Sequence, residues 1–211
     1  MNCDSIARWY RLLEHIAFGR ALERRRREYL SEVADARRVL ILGDGDGRFT
    51  AEFLQRSKAI SIDSVDLSSR MLQLAERRVH ACLSGPAQIR FHHGDALMMN
   101  FSGKYDLIVS HFFLDCFTPE EMPALVARIA GVACPQARWL ISEFHVPDAG
   151  LWRWTAAFLI QAMYSFFRMA TGLQARRLPD YTSSLIEQGF RCTRHRSAWG
   201  GLLVSELWER I

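Results

Sequence analysis

The segment that most constrains this chain is residues 39–50, VLILGDGDGRFT. Four apolar residues lead directly into glycines at positions 43, 45 and 47. A short apolar run that ends in such glycines is typical of a buried parallel strand that turns sharply into a helix. Glycine is needed there because a side chain would hinder positive φ values and the close approach of a ligand to the backbone. Since the helix start adds free N–H groups and partial positive charge, the segment predicts a binding site for a nucleotide-like molecule.

Strands alternate with helices along the rest of the chain. The apolar patterns predict strands at residues 39–42, 60–67, 88–92, 105–110 and 138–144, and two more at 190–197 and 202–208. Helices are predicted between them, and Thr118 with Glu121 has the spacing of a capping box at a helix start. Strands and helices that alternate at this spacing indicate parallel βαβ units, hence an α/β fold with a doubly wound sheet. A chain of 211 residues is expected to form one domain.

Two carboxylates help to identify the nucleotide. The dinucleotide fingerprint requires a third glycine where this chain has Arg48, which counts against NAD and FAD. Asp66 lies at the end of the second strand, where a carboxylate can accept hydrogen bonds from both hydroxyls of a ribose. Asp95 follows the third strand, where a carboxylate can accept from an adenine amine. Each acid alone could be a helix cap or turn residue, but three features at three successive strand ends are harder to explain in that way.

With these residues the chain resembles the class I S-adenosylmethionine-dependent methyltransferases over roughly residues 35 to 211. Residues 39–47 match the glycine motif of that family, residues 65–72 its ribose-binding segment and residues 94–96 its adenine-side segment. The resemblance implies a Rossmann-like, seven-stranded, mostly parallel sheet with the last strand antiparallel. It also implies S-adenosylmethionine as the cofactor, held by Gly43, Asp44, Gly45, Asp46, Gly47, Asp66, Leu67, Asp95, Ala96 and Ser110.

One position departs from the family. Many members carry an acid two residues before the first glycine, where it helps to hold the methionine end of the cofactor, and this chain has Ile41. That role is either lost or taken by Asp44 or Asp46. The domain is expected to comprise a helical lid at 1–34, the cofactor-binding core at 35–146, an aromatic helical insertion or lid at 147–180, and a helix with a strand pair at 181–211.

The insertion carries an unusual aromatic segment, residues 151–173. Between Arg153 and Arg168 it has no charged residue, and an uncharged run of about 14 residues is too short to span a bilayer. An aromatic-rich lid indicates an apolar or aromatic small-molecule acceptor. Alternatively the helix packs on the sheet, on a second subunit of a homodimer, or on a membrane surface. A weaker likeness of Gly189-Phe190 to the ubiquinone/menaquinone methyltransferases identifies no substrate.

Candidate catalytic residues follow the fourth strand, which in the family borders the methyl end of the cofactor. Methyl transfer from a sulfonium mainly requires alignment, and a base only where the acceptor carries a proton. His111 and Asp115 are the candidates for that base; alternatively His111 lines the pocket and Asp115 holds a loop amide. Glu143 and His145 at the end of the fifth strand, and Tyr10 in the N-terminal helix, are expected to contact the substrate.

Several other classes are not expected. The net charge of +4 comes with no recognised nucleic-acid module, and the arginine-rich run 23–28 is predicted to be a solvated face, with a ligand-facing basic patch as the alternative. His92 and His93 are adjacent on a strand and point to opposite faces, so no metal site is expected. Five cysteines without a CxxC spacing, and no evident signal peptide, indicate a cytoplasmic protein.

The sequence as a whole predicts an enzyme that transfers a methyl group to oxygen or carbon of a small, hydrophobic or aromatic acceptor. Two alternatives stay open. A protein of the same fold could bind the cofactor without transferring the methyl group. The other alternative is an aminopropyltransferase, because residues 43–47 resemble the glycine turn of that family, but it would need acids after the fourth strand to hold a polyamine. Arg48 opposes nicotinamide-dependent reduction.

Overall fold

The structure is a computed structural model that describes residues 18–57, 61–82, 86–101, 103–147, 152–171, 175 and 177–211. These residues contain seven strands: β1 Arg38–Leu42, β2 Ser61–Asp66, β3 Gln88–His93, β4 Tyr105–His111, β5 Ala133–Phe144, β6 Phe190–Ala198 and β7 Leu203–Arg210. They also contain six α-helices: α1 Ala21–Arg27, α2 Arg48–Arg56, α3 Ser69–Cys82, α4 Met122–Ala130, α5 Trp152–Thr171 and α6 Tyr181–Glu187.

All seven strands belong to one sheet with the order β3-β2-β1-β4-β5-β7-β6. Strands β1 to β5 are parallel, and β7 is antiparallel to both of its neighbours. The predicted seven-stranded, doubly wound sheet with an antiparallel last strand is therefore confirmed. Because the chain crosses from β3 back to β4 beside β1, the order reverses between β1 and β4, and ligands of such sheets bind at the carboxyl ends of the strands next to this reversal.

Strand β1 lies at the centre of the sheet and is buried on both faces. Val39 and Ile41 belong to one apolar cluster, and Leu40 and Leu42 to a second cluster on the other face. All four side chains are at most 1% exposed. This explains the continuous apolar run in the sequence, since successive side chains of a strand alternate between faces and a central parallel strand is covered on both.

Two predicted boundaries differ from the structure by more than two residues, the start of β5 and the start of α4. Strand β5 begins at Ala133 rather than at residue 138. Tyr105 pairs with Ala133 and Leu107 pairs with Arg138, so a step of two residues along β4 corresponds to a step of five along β5. Gln136 takes a positive φ of 60° within this irregularity. A strand interrupted in this way loses the period-two pattern by which sequence analysis recognises strands.

The predicted capping box forms, but the regular helix begins later. The Thr118 amide donates to Oε2 of Glu121 at 2.8 Å, and the Glu121 amide donates to Oγ1 of Thr118 at 3.3 Å. Helix α4 starts only at Met122. Pro123 has no N–H to continue the hydrogen-bond ladder from the capping turn, which accounts for the separation of that turn from the helix.

The arginine-rich run 23–28 is only partly the solvated face that was predicted, because part of it packs against the domain. The side chains of Arg25 and Glu28 are only 11% and 14% exposed and pair at 2.8 Å. The carbonyl of Arg25 accepts from the hydroxyls of Ser142 on β5 and Ser205 on β7, each at 3.0 Å. These hydroxyls provide partners on the sheet for the end of α1, so a highly charged helix packs against the domain.

A search of the helices in the described ranges finds none with both the length and the apolarity needed to cross a membrane.

Candidate functional site

The carboxyl ends of β1, β2 and β3 are joined by three hydrogen bonds. The Gly43 amide donates to the carbonyl of Val65 at 2.8 Å, and the Gly94 amide to the carbonyl of Asp66 at 3.1 Å. The Gly45 amide donates to Oδ2 of Asp66 at 3.2 Å. The structure therefore brings together the glycine turn, the acid after β2 and the segment after β3 at one edge of the sheet.

The three glycines of the turn have different roles, although all have positive φ values between 62° and 77°. A Cβ on Gly43 would lie 2.4 Å from Cδ2 of Phe113, and one on Gly47 would lie 2.6 Å from Cα of Ala75. These two glycines permit close packing by the protein itself. Among the described residues, no atom outside the turn itself lies within 4 Å of the position that a Cβ on Gly45 would take. Gly45 is thus the position at which a ligand can approach the backbone.

The carboxylate of Asp44 caps helix α2. Its oxygens accept from the amides of Phe49 and Thr50 at 3.2 and 2.9 Å, and from the Thr50 hydroxyl at 2.5 Å. Burial raises the pKa of Asp44 to about 6, although the Thr50 hydrogen bonds oppose this. In dinucleotide-binding proteins the pyrophosphate lies at this helix N-terminus. Because a carboxylate of the protein already occupies that position, the site does not suit NAD or FAD.

Asp46 connects the glycine turn to the neighbouring helices. Its carboxylate accepts from Nε of Arg48 at 2.9 Å and from Arg78 of α3 at 2.8 Å, and its carbonyl accepts from Nε of Arg78. Both acids that could replace the one absent at Ile41 are therefore engaged by the protein itself. Ile41 is 1% exposed and lies in the core.

Backbone amides hold the Asp66 carboxylate at this edge of the sheet. Its Oδ1 accepts from the Ser68 amide at 2.8 Å and its Oδ2 from the Gly45 amide. The carboxylate therefore lies directly beside the glycine turn. The Ser68 hydroxyl in turn accepts from the Met71 amide at 3.2 Å, as expected for a cap of α3.

The predicted adenine side lies next to Asp66. Oδ1 of Asp95 accepts from the Leu97 amide at 2.9 Å, and the residue is half-buried. Leu67 is 40% exposed, whereas Ala96 is buried. An exposed leucine and a half-buried carboxylate give this side of the edge one apolar surface and one acceptor.

The end of β4 carries two predicted site residues that face different ways. The Ser110 hydroxyl accepts from Nε1 of Trp139 at 2.9 Å inside the core, so its side chain is directed away from the edge. His111 is 6% exposed, and its ring lies edge-on to Phe49 with centroids 4.7 Å apart. Neither of its ring nitrogens has a hydrogen-bond partner among the described residues. Burial, and secondarily the charge of Arg26, lower the pKa of His111 well below its usual value, so the ring is neutral.

Two buried acids lie close together, Asp115 after β4 and Glu143 at the end of β5. Oε1 of Glu143 accepts from the amides of Phe113 and Leu114 at 2.9 and 2.7 Å, while its Oε2 has no partner among the described residues. Burial and the nearby Asp115 raise the pKa of Glu143 well above its usual value, and burial raises the pKa of Asp115 to about 6. The hydroxyl of Tyr164 on α5 donates to the carbonyl of Asp115 at 2.9 Å.

The remaining predicted contacts are more scattered. His145 lies just beyond β5, is exposed, and has Nδ1 3.3 Å from the carbonyl of Gly201. Tyr10 lies outside the described residues. His92 contacts Asp63 at 2.7 Å and His93 the carbonyl of Leu67 at 3.0 Å, so the two rings have separate partners. No group of three or more potential metal ligands occurs within the part of the chain that the structure describes.

Sequence reasoning missed two residues of this region. Arg26 places its guanidinium 5.2 Å from the ring centroid of Phe112, and its charge lowers the pKa of both Asp44 and His111. The arginine run was the only signal, and a ligand-facing patch was the alternative interpretation of it. Tyr164 contacts the segment after β4 from a helix about 50 residues away along the chain, and no local pattern indicates this.

Residues 39–136 match a family model described as a methyltransferase domain. A demethylmenaquinone methyltransferase of Deinococcus radiodurans is 30% identical over 116 residues, which cover 54% of this chain and 46% of that protein. Polyamine aminopropyltransferase 2 of Bacillus anthracis is 29% identical over 137 residues, covering 60% of this chain and 38% of that protein. The solved structure of an amino pentose methyltransferase from Micromonospora echinaspora with S-adenosylmethionine bound gives a TM-score of 0.67 at 14% identity, covering 95% and 96% of the two chains.

These matches confirm the predicted fold class and the predicted resemblance to the S-adenosylmethionine-dependent methyltransferases. The similarity to the solved structure concerns the fold alone, because its sequence identity is low. The chain spans less than half the length of both curated relatives.

Proposed function

We propose, from this resemblance to the class I methyltransferases, that the chain is an enzyme that transfers a methyl group from S-adenosylmethionine to a small molecule. The observation that carries the proposal is the open backbone at Gly45 with the Asp66 carboxylate on its amide. A nucleoside needs close approach to the backbone and an acceptor for its ribose hydroxyls, and these two residues provide both.

The residues at the edge of the sheet fit this cofactor. Asp66 would accept from the ribose, and Asp95, Leu67 and Ala96 would lie on the adenine side. When bound, S-adenosylmethionine supplies a methyl group that its sulfonium already activates. The protein then has to bind and orient the acceptor, exclude water and, where the acceptor is protonated, accept a proton.

An apolar or aromatic acceptor, methylated on oxygen or carbon, suits the aromatic segment after β4. Phe113 and Phe117 lie with ring centroids 5.0 Å apart, and so do Phe112 and Phe144. Phe113 also packs against Gly43, so this aromatic surface directly adjoins the glycine turn. The name of the Deinococcus relative, a demethylmenaquinone methyltransferase, agrees with an acceptor of this kind.

Of the two predicted bases, Asp115 has the pKa that is better suited to accepting a proton. A pKa of about 6 leaves it mostly ionised at neutral pH and still basic enough to accept a proton. His111 has a pKa well below its usual value and therefore a weaker affinity for the proton. We assign proton acceptance to Asp115, alignment of the segment to Glu143 through the Phe113 and Leu114 amides, and the lining of the pocket to His111.

The second candidate is aminopropyl transfer to a polyamine, which the similarity to the Bacillus anthracis aminopropyltransferase favours. That reaction requires acids after β4 to hold the cationic acceptor. Asp115 is one such acid, and the buried Glu143 at the end of β5, a predicted substrate contact, is a second acid close to it. The two candidates differ in the donor, since an aminopropyltransferase uses decarboxylated S-adenosylmethionine.

Calorimetric titration with S-adenosylmethionine, its decarboxylated form, S-adenosylhomocysteine and NADH distinguishes these functions. We expect binding of the two carboxylated sulfur nucleotides and none of NADH, followed by turnover on a panel of phenols and quinols. Preference for the decarboxylated donor, with turnover on putrescine, would establish the second candidate. Tight binding without turnover on either panel would indicate a protein that only binds the cofactor.

The Asp66→Asn variant tests the assignment of the ribose site. It should weaken S-adenosylmethionine binding by about 1–3 kcal/mol through loss of charge-assisted hydrogen bonds. Asp106→Asn is the matched control, because that carboxylate also accepts from backbone amides, those of Arg37 and Arg38, at the opposite end of β1. It should reduce stability and leave affinity unchanged. Equal affinity in the Asp66 variant would place the ribose elsewhere.

A further inference from the structure

Helix α5 exposes an apolar surface that the methyl-transfer site does not use. Of the nine large hydrophobic side chains that are exposed in the described part of the chain, four lie on this helix. They are Trp154 at 75%, Phe158 at 78%, Leu159 at 37% and Met169 at 88% exposure. Isolated exposed hydrophobic residues are ordinary, but a cluster on one element indicates a contact surface.

Helical geometry places the most exposed of these side chains in one stripe. At 3.6 residues per turn, Trp154, Phe158 and Met169 fall within about 60° of one another and extend over about 22 Å. Ala156, Ile160 and Tyr164 lie on the other side of the helix and are buried at 6% exposure or less. Gln161 and Ser165 fall in the same stripe, so the outer side of α5 is apolar at Trp154 and Phe158 and again at Met169. Within the described part of the chain, this outer side is left exposed while the opposite side packs on the domain.

The charges beside this stripe are all positive. Arg153 and Arg168 lie near the two ends of α5 and are exposed, and the helix sequence contains no Asp or Glu. The guanidinium of Arg153 stacks 5.8 Å from the ring centroid of Trp154. Arginine beside tryptophan and phenylalanine is the combination found where a helix lies in the plane of the headgroups, with its apolar side chains at the acyl boundary.

We propose that this outer face of α5, formed by Trp154, Phe158, Leu159 and Met169 with Arg153 and Arg168, docks on the surface of a bilayer that contains anionic lipids. Anionic headgroups complement the two arginines. A second copy of the chain fits less well, because a two-fold contact between two antiparallel α5 helices would bring Arg153 of each near Arg168 of the other without an acid on either helix.

Docking would also orient the proposed active site. The buried side of α5 contacts the segment after β4 through the hydrogen bond from Tyr164 to the Asp115 carbonyl. A helix whose outer face lies on the membrane thus has its inner face next to the proposed acceptor site, so an acceptor that partitions into the bilayer would be close to it. The docking itself does not depend on methyl transfer and is measured without cofactor or acceptor.

Vesicle flotation of the full chain tests the proposal. We expect the protein to float with vesicles of phosphatidylcholine containing about 30% phosphatidylglycerol, at least ten-fold more than with pure phosphatidylcholine, and to be released by high salt. The Trp154→Ser/Phe158→Ser variant should lose binding to both. The Arg153→Glu/Arg168→Glu variant should lose the preference for anionic lipid.

Two matched controls separate the α5 surface from general effects. Met98→Ser/Ile186→Ser removes two hydrophobic side chains, 78% and 59% exposed, from other elements. Arg56→Glu/Arg191→Glu makes the same change in net charge away from α5. Both should float like the parent protein, and circular dichroism should verify that every variant is folded.

Three results would overturn the proposal. The first is absence of flotation with either vesicle. The second is flotation that the control variants weaken as much as the α5 variants do. The third is a dimer by light scattering that Trp154→Ser/Phe158→Ser converts to monomer without a change in lipid binding, which would assign the outer face of α5 to a second copy of the chain.

Discussion

Gly45 differs from Gly43 and Gly47 because no residue in the described part of the chain occupies the space that its missing side chain would take. Substitution at Gly43 or Gly47 would disrupt packing and so say little about a ligand. Substitution at Gly45 has only two consequences, strain from its φ of 62° and obstruction of a bound molecule. The obstruction of a ligand can be measured separately by comparison with another glycine whose substitution causes the same backbone strain.

Gly189 provides that comparison, with a φ of 78° and no atom of the other described residues within 4 Å of the position that a Cβ would take. Gly45→Ala and Gly189→Ala should both lower the free energy of unfolding by about 1–2 kcal/mol, the cost of a left-handed alanine. Only Gly45→Ala should weaken S-adenosylmethionine binding, by about ten-fold or more, as measured by calorimetry. Equal affinities in the two variants would show that the ligand does not approach this backbone.

His111 combines deep burial with two ring nitrogens that have no partner among the described residues. Burying a polar group without a hydrogen bond costs about 1–3 kcal/mol. His111→Phe should therefore raise the free energy of unfolding by about 1 kcal/mol or more, since the new ring can keep the edge-on contact with Phe49. We also expect His111→Phe to reduce methyl transfer. A buried imidazole that destabilises the fold is expected at a position where it contributes to a functional site.

The measurement for His111 pairs denaturant unfolding with turnover of the parent and variant enzymes. His80→Phe is a suitable control, because that side chain is 65% exposed on α3 and should affect neither quantity. If His111→Phe instead lowered stability and left turnover intact, the ring would be a hydrogen-bonded part of the core, and the pocket assignment would fail.

At the scale of elements, helix α2 depends on an unusual cap. Asp44 is half-buried, and the desolvation of its carboxyl raises its pKa to about 6, above the value of 3.8 of an unperturbed carboxyl. The folded chain therefore binds an extra proton between these values. The stabilising contribution of protonated Asp44 is fully present below pH 3.8 and is lost as the pH rises through 6, by up to about 3 kcal/mol.

An Asp44→Asn variant removes this titration. Relative to the variant, the parent protein should lose unfolding free energy between about pH 4 and 7, as measured by urea unfolding at each pH. Asp180→Asn gives the opposite sign, because Asp180 caps α6 through the Ser183 amide at 3.0 Å and hydrogen bonds lower its pKa. The contribution of Asp180 is present at neutral pH and lost as the pH falls. A difference between parent and Asp44→Asn that does not vary with pH would show that folding does not raise the pKa of Asp44.

Elements were predictable where local pattern and tertiary environment agree. Strand β1 is apolar on both faces and buried on both, so its sequence identifies it. The start of β5 was missed because the bulge around Gln136 breaks the alternation, and the start of α4 because Pro123 separates the capping turn from the helix. The packing of part of α1 against the domain was not predicted, since it depends on hydroxyls from Ser142 and Ser205 that lie more than a hundred residues further along the chain.

At the scale of the whole molecule, the proposed cofactor side of the site is encoded in a local sequence pattern, whereas the proposed acceptor side depends more on tertiary contacts. The glycine turn and Asp66 form a pattern within about 25 residues, so the sequence was sufficient to propose them. The proposed acceptor side comprises Glu143, Asp115 and Tyr164, which lie on different elements and meet only in the folded chain. Asp115 and Glu143 were both predicted at this side of the site. The contact of Tyr164 with Asp115 follows from the position of α5, which no local motif encodes.

Tyr164 is the residue through which α5 reaches this acceptor side, and its removal tests whether the helix and the site act together. The side chain is 2% exposed, and burial raises its pKa, so the hydroxyl remains a donor to the Asp115 carbonyl. Tyr164→Phe should lower the free energy of unfolding by about 1 kcal/mol, the value of one hydrogen bond. It should also reduce kcat several-fold while the Kd for S-adenosylmethionine stays unchanged, because Gly45 and Asp66 lie on other strands.

Tyr181→Phe is the control for Tyr164→Phe, since the Tyr181 hydroxyl donates to Glu206 at 3.1 Å, away from Asp115. Both variants should lose similar stability, but only the Tyr164 variant should lose turnover. Equal kcat values in the two variants would mean that α5 merely covers the sheet. A loss of cofactor affinity with unchanged kcat would place Tyr164 on the cofactor side. The expected result, lower kcat alone, would show that contact with α5 positions the segment after β4 for the acceptor.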